Sequence, residues 1–397
     1  MTLHRLPSTA SIVGRRGLEG VLLVTLRDVA THLGVSTSTV SLVLNERDGG
    51  RVRPAVAEQV RAVAAEMGYL PNLAARNLRR GRTATIGLLA DGVATVPFGG
   101  SMLAGAQTAA WAATWGLAVT SVPRVVVSDR NAIAWATGDG GDLVVKWSGD
   151  SSWFGRLDAL AQLLLLLADR GVPVAAPVTA LDGRPRVVVD GPLGPLSVTV
   201  LPHVQGDWLD TTDRDAVRAA GAALAHLHAA LADAPAGLVA ALPPTRRGAS
   251  VPLRAHLGTW LAEGDRGLVP GASRRLAALL ADLPELDDDV PQLVHGDFRA
   301  ANVLVRDGEV VAVLDVDDVS VRHRVDDLAA ACTYLGTLFT GWAPTPPDAQ
   351  RALVEGYESV RRLGRAERAW FDALLLWHGI TAVPGPDDTA GWAAAVG

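Results

Sequence analysis

One stretch constrains this chain more than any other. His295-Gly296-Asp297-Phe298-Arg299-Ala300-Ala301-Asn302 is followed by strand-like runs at 303–305 and 310–314 and then by Asp315-Val316-Asp317. Two short apolar runs separated by a turn read as a hairpin, which returns the second acidic segment to the loop that precedes it. Phosphoryl transfer uses groups in this order: one carboxylate orients and deprotonates an attacking hydroxyl, an Asn five residues later turns toward a metal, and a second carboxylate holds magnesium across the phosphates. Asp297 is therefore the expected catalytic carboxylate, Asn302 the catalytic-loop residue that also meets the metal, and Asp315 the second metal ligand. Asp317 is an additional ligand or a neighbour of one, and His295 is expected to brace the catalytic loop by hydrogen bonding.

The basic residues point the same way. Of 36 Lys and Arg, 35 are Arg, and Lys146 is the single lysine. An ammonium is a compact point charge that a planar guanidinium does not replace. Lys146 is thus a candidate phosphate contact, weighed against a chance surface lysine. Charge is also uneven along the chain. Residues 24–82 hold nine Arg against five acids, a net of +4, whereas 83–397 hold 24 basic residues against 36 acids, a net of −12. Only the first segment suits a polyanion. The single cysteine, Cys332, excludes an internal disulfide framework and a Cys-rich zinc site. Nothing at the start reads as a signal peptide, and the longest aliphatic run, 163–167, is far short of the roughly 20 residues a bilayer span needs. A cytoplasmic protein with no membrane association is expected.

The periodicity divides the chain into five segments. Residues 1–23 form a leader without assigned structure. In 24–82, Thr25 caps a helix at 26–33, Gly34 breaks it, Ser36 caps a second at 37–45, Pro54 opens a third running to about 67, and 74–80 forms a further short helix. Residues 83–122 read as strand (85–90), helix (101–115) and strand (117–122). Residues 123–204 carry strands at 124–127, 132–137, 143–147, 186–189 and 196–201 around a helix at 154–169. Long Ala/Leu helices dominate 205–397, with 242–252 as a surface loop. A small sheet-bearing lobe followed by a larger helical one makes the fold class α+β, preceded by an all-α helical domain.

The His295–Asn302 and Asp315 motifs resemble the aminoglycoside phosphotransferase and choline kinase superfamily over about 124–385. The resemblance implies a protein-kinase-like two-lobed phosphotransferase fold, ATP and Mg2+ as cofactors, and a small-molecule hydroxyl acceptor. It places Lys146, at the end of Asp139-Gly140-Gly141-Asp142-Leu143-Val144-Val145-Lys146, on the nucleotide phosphates, 198–203 at the adenine hinge, and Asp326-Asp327-Leu328-Ala329 in a structural role. No G-x-G-x-x-G loop precedes Lys146. Ser128-Asp129-Arg130-Asn131 stands at that turn, so Ser128 and Asn131 are the candidate nucleotide contacts. The helix after Lys146 offers no Glu, which leaves Asp158 as the expected ion-pair partner.

In the first segment Ala30, Gly34 and Val40 have helix-turn-helix spacing: a small residue where two helices cross, a glycine at the turn and an apolar residue seating the second helix. The runs 24–30 and 35–45, with Gly68-Tyr69-Leu70-Pro71-Asn72, resemble the lactose-repressor family. By that resemblance double-stranded DNA is a partner. Thr37 and Ser38 face base edges, Thr25, Ser36, Thr39 and Asn45 contact phosphates, and Leu78 wedges into the minor groove. The resemblance extends through the strand and helix after residue 85 and ends near Val122. Two functions remain open: a phosphotransferase with a DNA-binding head, and a transcriptional regulator whose kinase-like part is a non-catalytic sensor. Acceptor identity and oligomeric state are not legible.

Overall fold

The computed structural model describes residues 26–44, 52, 54–66, 114–127, 131–191, 194–242, 252–263, 268–286, 289–339 and 342–397. The expectations at Thr25, Asn45, 74–80, Leu78, 85–90 and Ser128, and nearly all of the helix at 101–115, lie outside these residues. Two compact units divide the chain, Met1–Ala84 and Thr85–Gly397.

The first unit holds α1 (Leu26–Leu33), α2 (Thr37–Leu44) and α3 (Pro54–Glu66). Gly34 leaves α1 at φ +65, and the Val35 amide donates to Ala30 O at 3.1 Å, closing the helix end with a backbone conformation that glycine adopts without cost. Ser36 then caps α2, its Oγ accepting from the Thr39 amide at 3.0 Å. Pro54 occupies the first turn of α3, where a missing N–H is harmless. Ala30, Val40, Val43, Ala57, Val60 and Ala64 are buried together where the three helices meet.

The second unit opens with a five-stranded antiparallel sheet in the order β1-β2-β3-β5-β4. Its strands are β1 (Val119–Val127), β2 (Ala132–Gly138), β3 (Gly141–Ser148), β4 (Val187–Gly191) and β5 (Gly194–Pro202), and α4 (Phe154–Asp169) follows β3. The expected strands at 117–122 and 124–127 are one strand. Proline cannot donate to a ladder, which reads as a break. On an edge strand that donor is not needed, and irregular register at 119–124 lets β1 run through Pro123. The leucine run of α4 is a helix face: Leu163 and Leu167 are fully buried, each contributing about 1.5–3 kcal/mol relative to exposure. Among the described residues no helix is long and apolar enough to cross a membrane.

The larger lobe follows β6 (Asp207–Trp208). It comprises α5 (Arg214–Ala232), α6 (Ala236–Ala240), α7 (Leu253–Glu263), α8 (Pro270–Asp282), β7 (Gln292–Val294), β8 (Val303–Arg306), β9 (Glu309–Val313), β10 (Ser320–Arg322), α9 (Arg324–Tyr334), α10 (Pro347–Val360), α11 (Arg365–Ala382) and α12 (Trp392–Val396). Helices α5 and α10 touch backbone to backbone through reciprocal glycines. A Cβ on Gly221 would strike the Leu353 carbonyl, and one on Gly356 would strike the Arg218 carbonyl. Strands β6, β8 and β9 form one small sheet, and β7 pairs with β10 in another. The 295–302 loop therefore hangs between β7 and β8, and the 314–318 loop leaves β9.

Candidate active site

The two loops are stitched together by backbone bonds. Leu314 N donates to Asn302 O at 2.8 Å, and His295 Nε2 lies 3.0 Å from Leu314 O. The Asp297 amide approaches His295 Nδ1 at 3.2 Å, so the buried ring accepts on Nδ1 and donates from Nε2. Gly296 is at φ +84, and a Cβ there would sit 2.5 Å from Asp318 O, so only glycine lets the loops approach this closely. Beneath them, Asp327 accepts from the amides of His295 (3.1 Å) and Gly296 (2.8 Å), from Arg322 (3.2 Å), and pairs with His228 Nε2 at 2.9 Å. Burial alone would raise the Asp327 carboxyl, but the hydrogen bond from His228 and the charges of His228 and Arg322 outweigh it and hold the group well below the usual carboxylate range. An ionised Asp327 thus fixes the start of the 295–302 loop.

Asp297 and Asn302 come together on that loop. Asn302 Nδ2 donates to Asp297 O at 2.8 Å and to Asp297 Oδ2 at 3.0 Å, fixing the carboxylate from one side. Arg299 Nε donates to the same Oδ2 at 3.1 Å, while its Nη1 reaches Leu338 O at 3.1 Å and its guanidinium lies 5.5 Å from the Trp342 ring centre. Sequence reasoning passed over Arg299, whose only signal was its place two residues after Asp297.

Lys146, Asp315, Asp317 and Asn131 form a second cluster. Lys146 Nζ lies 2.7 Å from Asp317 Oδ2 and 3.2 Å from Asp315 Oδ1, and Asn131 Nδ2 donates to Asp317 Oδ2 at 3.0 Å. Burial opposes the ammonium, but the two carboxylates prevail and push its pKa above the ordinary lysine value. Lys146 in turn lowers the Asp315 carboxyl by its charge. Asp315 takes a left-handed backbone conformation (φ 57), which Asp tolerates better than most residues. Arg186 lines the same cleft and donates to Ser197 Oγ at 2.6 Å; burial lowers its pKa to about 10 against the pull of Asp317 and Asp158.

Asp158 does not reach Lys146. Its carboxylate accepts from Gln162 at 2.7 Å, one turn along α4. The cleft is lined instead by Leu157, Leu160, Ala161 and Leu164, because a position one residue on from a lining residue is rotated about 100° around the helix. α4 docks by Arg156, which is 8% exposed and donates to Asp317 O (2.9 Å) and Val319 O (2.5 Å). An Arg inside a leucine-rich helix was the available signal for that contact.

Asp315 and Asn302 supply oxygen donors from adjoining loops, a set that suits a hard cation completed by phosphate and water. In the first unit, Thr37 is exposed at the start of α2, as is Ser36 just before it. The Ser36 and Thr39 hydroxyls bond each other at 2.8 Å, so both are engaged in the cap. The Ser38 side chain lies outside the described residues.

Comparison with known proteins gives two matches on one chain. Residues 126–386 match the model described as phosphotransferase enzyme family, and residues 25–72 match bacterial regulatory proteins of the lacI family. The maltose regulon regulatory protein MalI of Vibrio furnissii is 40% identical over 82 residues, covering 21% of this chain and 58% of that protein. Homoserine kinase of Neisseria meningitidis serogroup B is 27% identical over 216 residues, covering 52% of this chain and 63% of that protein. The chain thus spans less than two thirds of the length of either relative. Similar solved structures include an amicoumacin kinase in complex with AMP-PNP, Ca2+ and Ami, at 18% identity and TM-score 0.46 over 70% of this chain and 85% of that one. A spectinomycin phosphotransferase in complex with ADP and spectinomycin is 12% identical at TM-score 0.47, over 72% of this chain and 96% of that one.

Proposed function

The chain belongs to the phosphotransferase enzyme family, and on that premise we propose that it transfers the γ-phosphate of ATP to a hydroxyl of a small molecule, with Mg2+ as the metal. The observation that carries this reading is the stitching of two acidic loops through Leu314, which sets Asp297 and Asn302 beside the turn that bears Asp315 and Asp317. Asp297 accepts the proton of the acceptor hydroxyl as that oxygen bonds to the γ-phosphorus and the bond to the β-phosphate oxygen breaks, leaving ADP. Asn302 and Arg299 orient the carboxylate. Lys146 meets the nucleotide phosphates as a point charge, with Asn131 beside it, and Asp315, Asn302 and Asp317 provide for the metal. Magnesium, when bound, neutralises charge on the β- and γ-phosphates.

The lacI-type head supports binding of double-stranded DNA through Thr37 and its neighbours at the start of α2. A second reading, a regulator whose kinase-like unit senses a ligand without turnover, is favoured by one observation. α4 presents leucines to Lys146 and turns its carboxylate, Asp158, to Gln162. Screening hydroxyl acceptors by ATP consumption, with calorimetry for nucleotide binding, separates the two. Turnover with a defined acceptor supports the enzyme, and saturable nucleotide binding without turnover supports the sensor.

A further inference from the structure

Beside Asp297 lies a cavity of about 660 Å3, within the range of small-molecule sites. It is assembled from the 297–299 loop and from residues of α7, α9, α11, α12 and the connection before α12, segments up to 136 positions apart in the chain (His256 to Trp392).

Its walls are aromatic. The Trp377 and His378 rings lie tilted at 54° with centroids 4.6 Å apart, His256 meets the Trp377 ring edge-to-face at 5.3 Å, and the Tyr334 and Trp392 ring centres are 5.9 Å apart. The mouth is aromatic as well. Trp342, which lines the cavity, is 48% exposed, and the Arg299 guanidinium lies 5.5 Å from its ring centre.

The charges of the cavity are largely consumed inside the protein. Arg299 is paired with Asp297 at 3.1 Å. Arg322 is bound to Asp326 (3.3 Å) and Asp327 (3.2 Å), and His378 to Asp326 at 2.9 Å. Burial lowers the His256 pKa, which favours the neutral ring. Among the described lining residues the carboxylates are Asp297, engaged by Arg299 and Asn302, and Asp387, which is exposed. One carboxylate cannot neutralise several ammonium groups, and for cations that enter unpaired the attraction of aromatic faces offsets only part of the lost hydration.

We infer that this cavity takes an acceptor whose hydroxyl is carried on a ring-bearing, largely apolar body with at most one cationic group, and that it discriminates against polycationic sugars. The assignment rests on the phosphotransferase reading for the direction of the hydroxyl toward Asp297. The aromatic walls bind flat apolar surface, Trp342 adds its exposed ring to them, and Asp387 pairs with a single ammonium where the acceptor has one.

The test uses the full chain with two probes, a naphthyl-substituted amino alcohol bearing one ammonium and kanamycin, a polycation. Calorimetry reads binding without turnover, and ADP release with ATP and magnesium reads transfer. The naphthyl alcohol is expected to bind at least about ten-fold more tightly than kanamycin, and Trp342→Ala is expected to weaken that binding about five-fold, with Trp342→Phe restoring most of it. Equal or tighter binding of kanamycin, no binding of the naphthyl alcohol, or no effect of Trp342→Ala overturns the assignment. The phosphotransferase reading fails separately: if the naphthyl alcohol binds as expected but no acceptor elicits ADP release, the cavity assignment stands and transfer does not. Preferential phosphorylation of kanamycin gives the converse.

Discussion

Lys146 is held by the loop that follows β9, 2.7 Å from Asp317 and 3.2 Å from Asp315, and not by the helix packed behind it. The lysine and the two carboxylates therefore form one bonded cluster, with Asn131 donating to Asp317 and Arg156 donating to the Asp317 carbonyl.

Substitution at either end of that pair should be felt at the nucleotide. Lys146→Arg keeps the charge but replaces a compact ammonium with a planar fork. It is expected to lower transfer strongly with little change in melting temperature. Asp317→Asn removes the shorter ion pair and is expected to raise the KM for ATP about ten-fold, as loss of one charge-assisted hydrogen bond implies. Steady-state kinetics at varied ATP checks both, and an active Lys146→Arg enzyme would make the lone lysine a compositional accident.

The α5–α10 contact predicts an inversion of helix propensity. Gly→Ala inside an exposed helix normally stabilises by about 1 kcal/mol. At Gly221 the added methyl meets the Leu353 carbonyl, so Gly221→Ala is expected to destabilise the kinase-like unit by about 1–3 kcal/mol or more, read from urea unfolding.

Acid stability should depend on Asp289, which accepts from Arg324 Nε at 2.8 Å and from the Val325 amide at 3.2 Å at the start of α9. Burial alone would raise its carboxyl, but hydrogen bonds from His323, Arg324 and Val325 bring it down to about 2. A carboxylate with a depressed folded-state pKa stabilises the fold above its unfolded value of about 3.9, and that stability is lost as pH falls toward 2. Asp289→Asn is expected to cost about 2 kcal/mol near pH 7, with the gap to the parent chain closing between about pH 4 and pH 2 in thermal melts.

The parts of this molecule that lie on contiguous sequence were legible in it. The spacing of Asp297, Asn302 and Asp315 and the isolation of Lys146 are local facts, and Gly34, Ser36 and Pro54 mark the ends of α1, α2 and α3 through backbone chemistry that needs no tertiary partner. What escaped depends on direction in space. Asp158 and Leu157 are neighbours in sequence, yet the helix turns only the leucine toward Lys146. Pro123 reads as a break until β1 is known to be an edge strand. The aromatic cavity draws on residues from His256 to Trp392 that no periodicity links.

DNA binding should depend on the packing of the first unit alone. Val40 is fully buried among α1, α2 and α3, so Val40→Asp places a charge in that core and is expected to abolish binding to a palindromic duplex while leaving ATP consumption intact. The lacI-family match covers residues 25–72 alone, a short head that offers few phosphate contacts by itself. Binding by the parent chain is therefore expected near the non-specific range of about 10⁻⁴–10⁻⁶ M, weakening steeply with salt. Fluorescence anisotropy with palindromic and scrambled duplexes at two salt concentrations measures it, and a nanomolar, sequence-specific complex would favour the regulator.

The most direct measurement is phosphate transfer by Asp297→Asn, assayed beside nucleotide binding by calorimetry. Asn keeps the shape of the side chain and loses the carboxylate that takes the hydroxyl proton. The expected result is nucleotide binding nearly unchanged and a transfer rate lower by about 10²–10⁴-fold. A variant that transfers phosphate at the parental rate would contradict the assignment of Asp297 and, with it, the site described above.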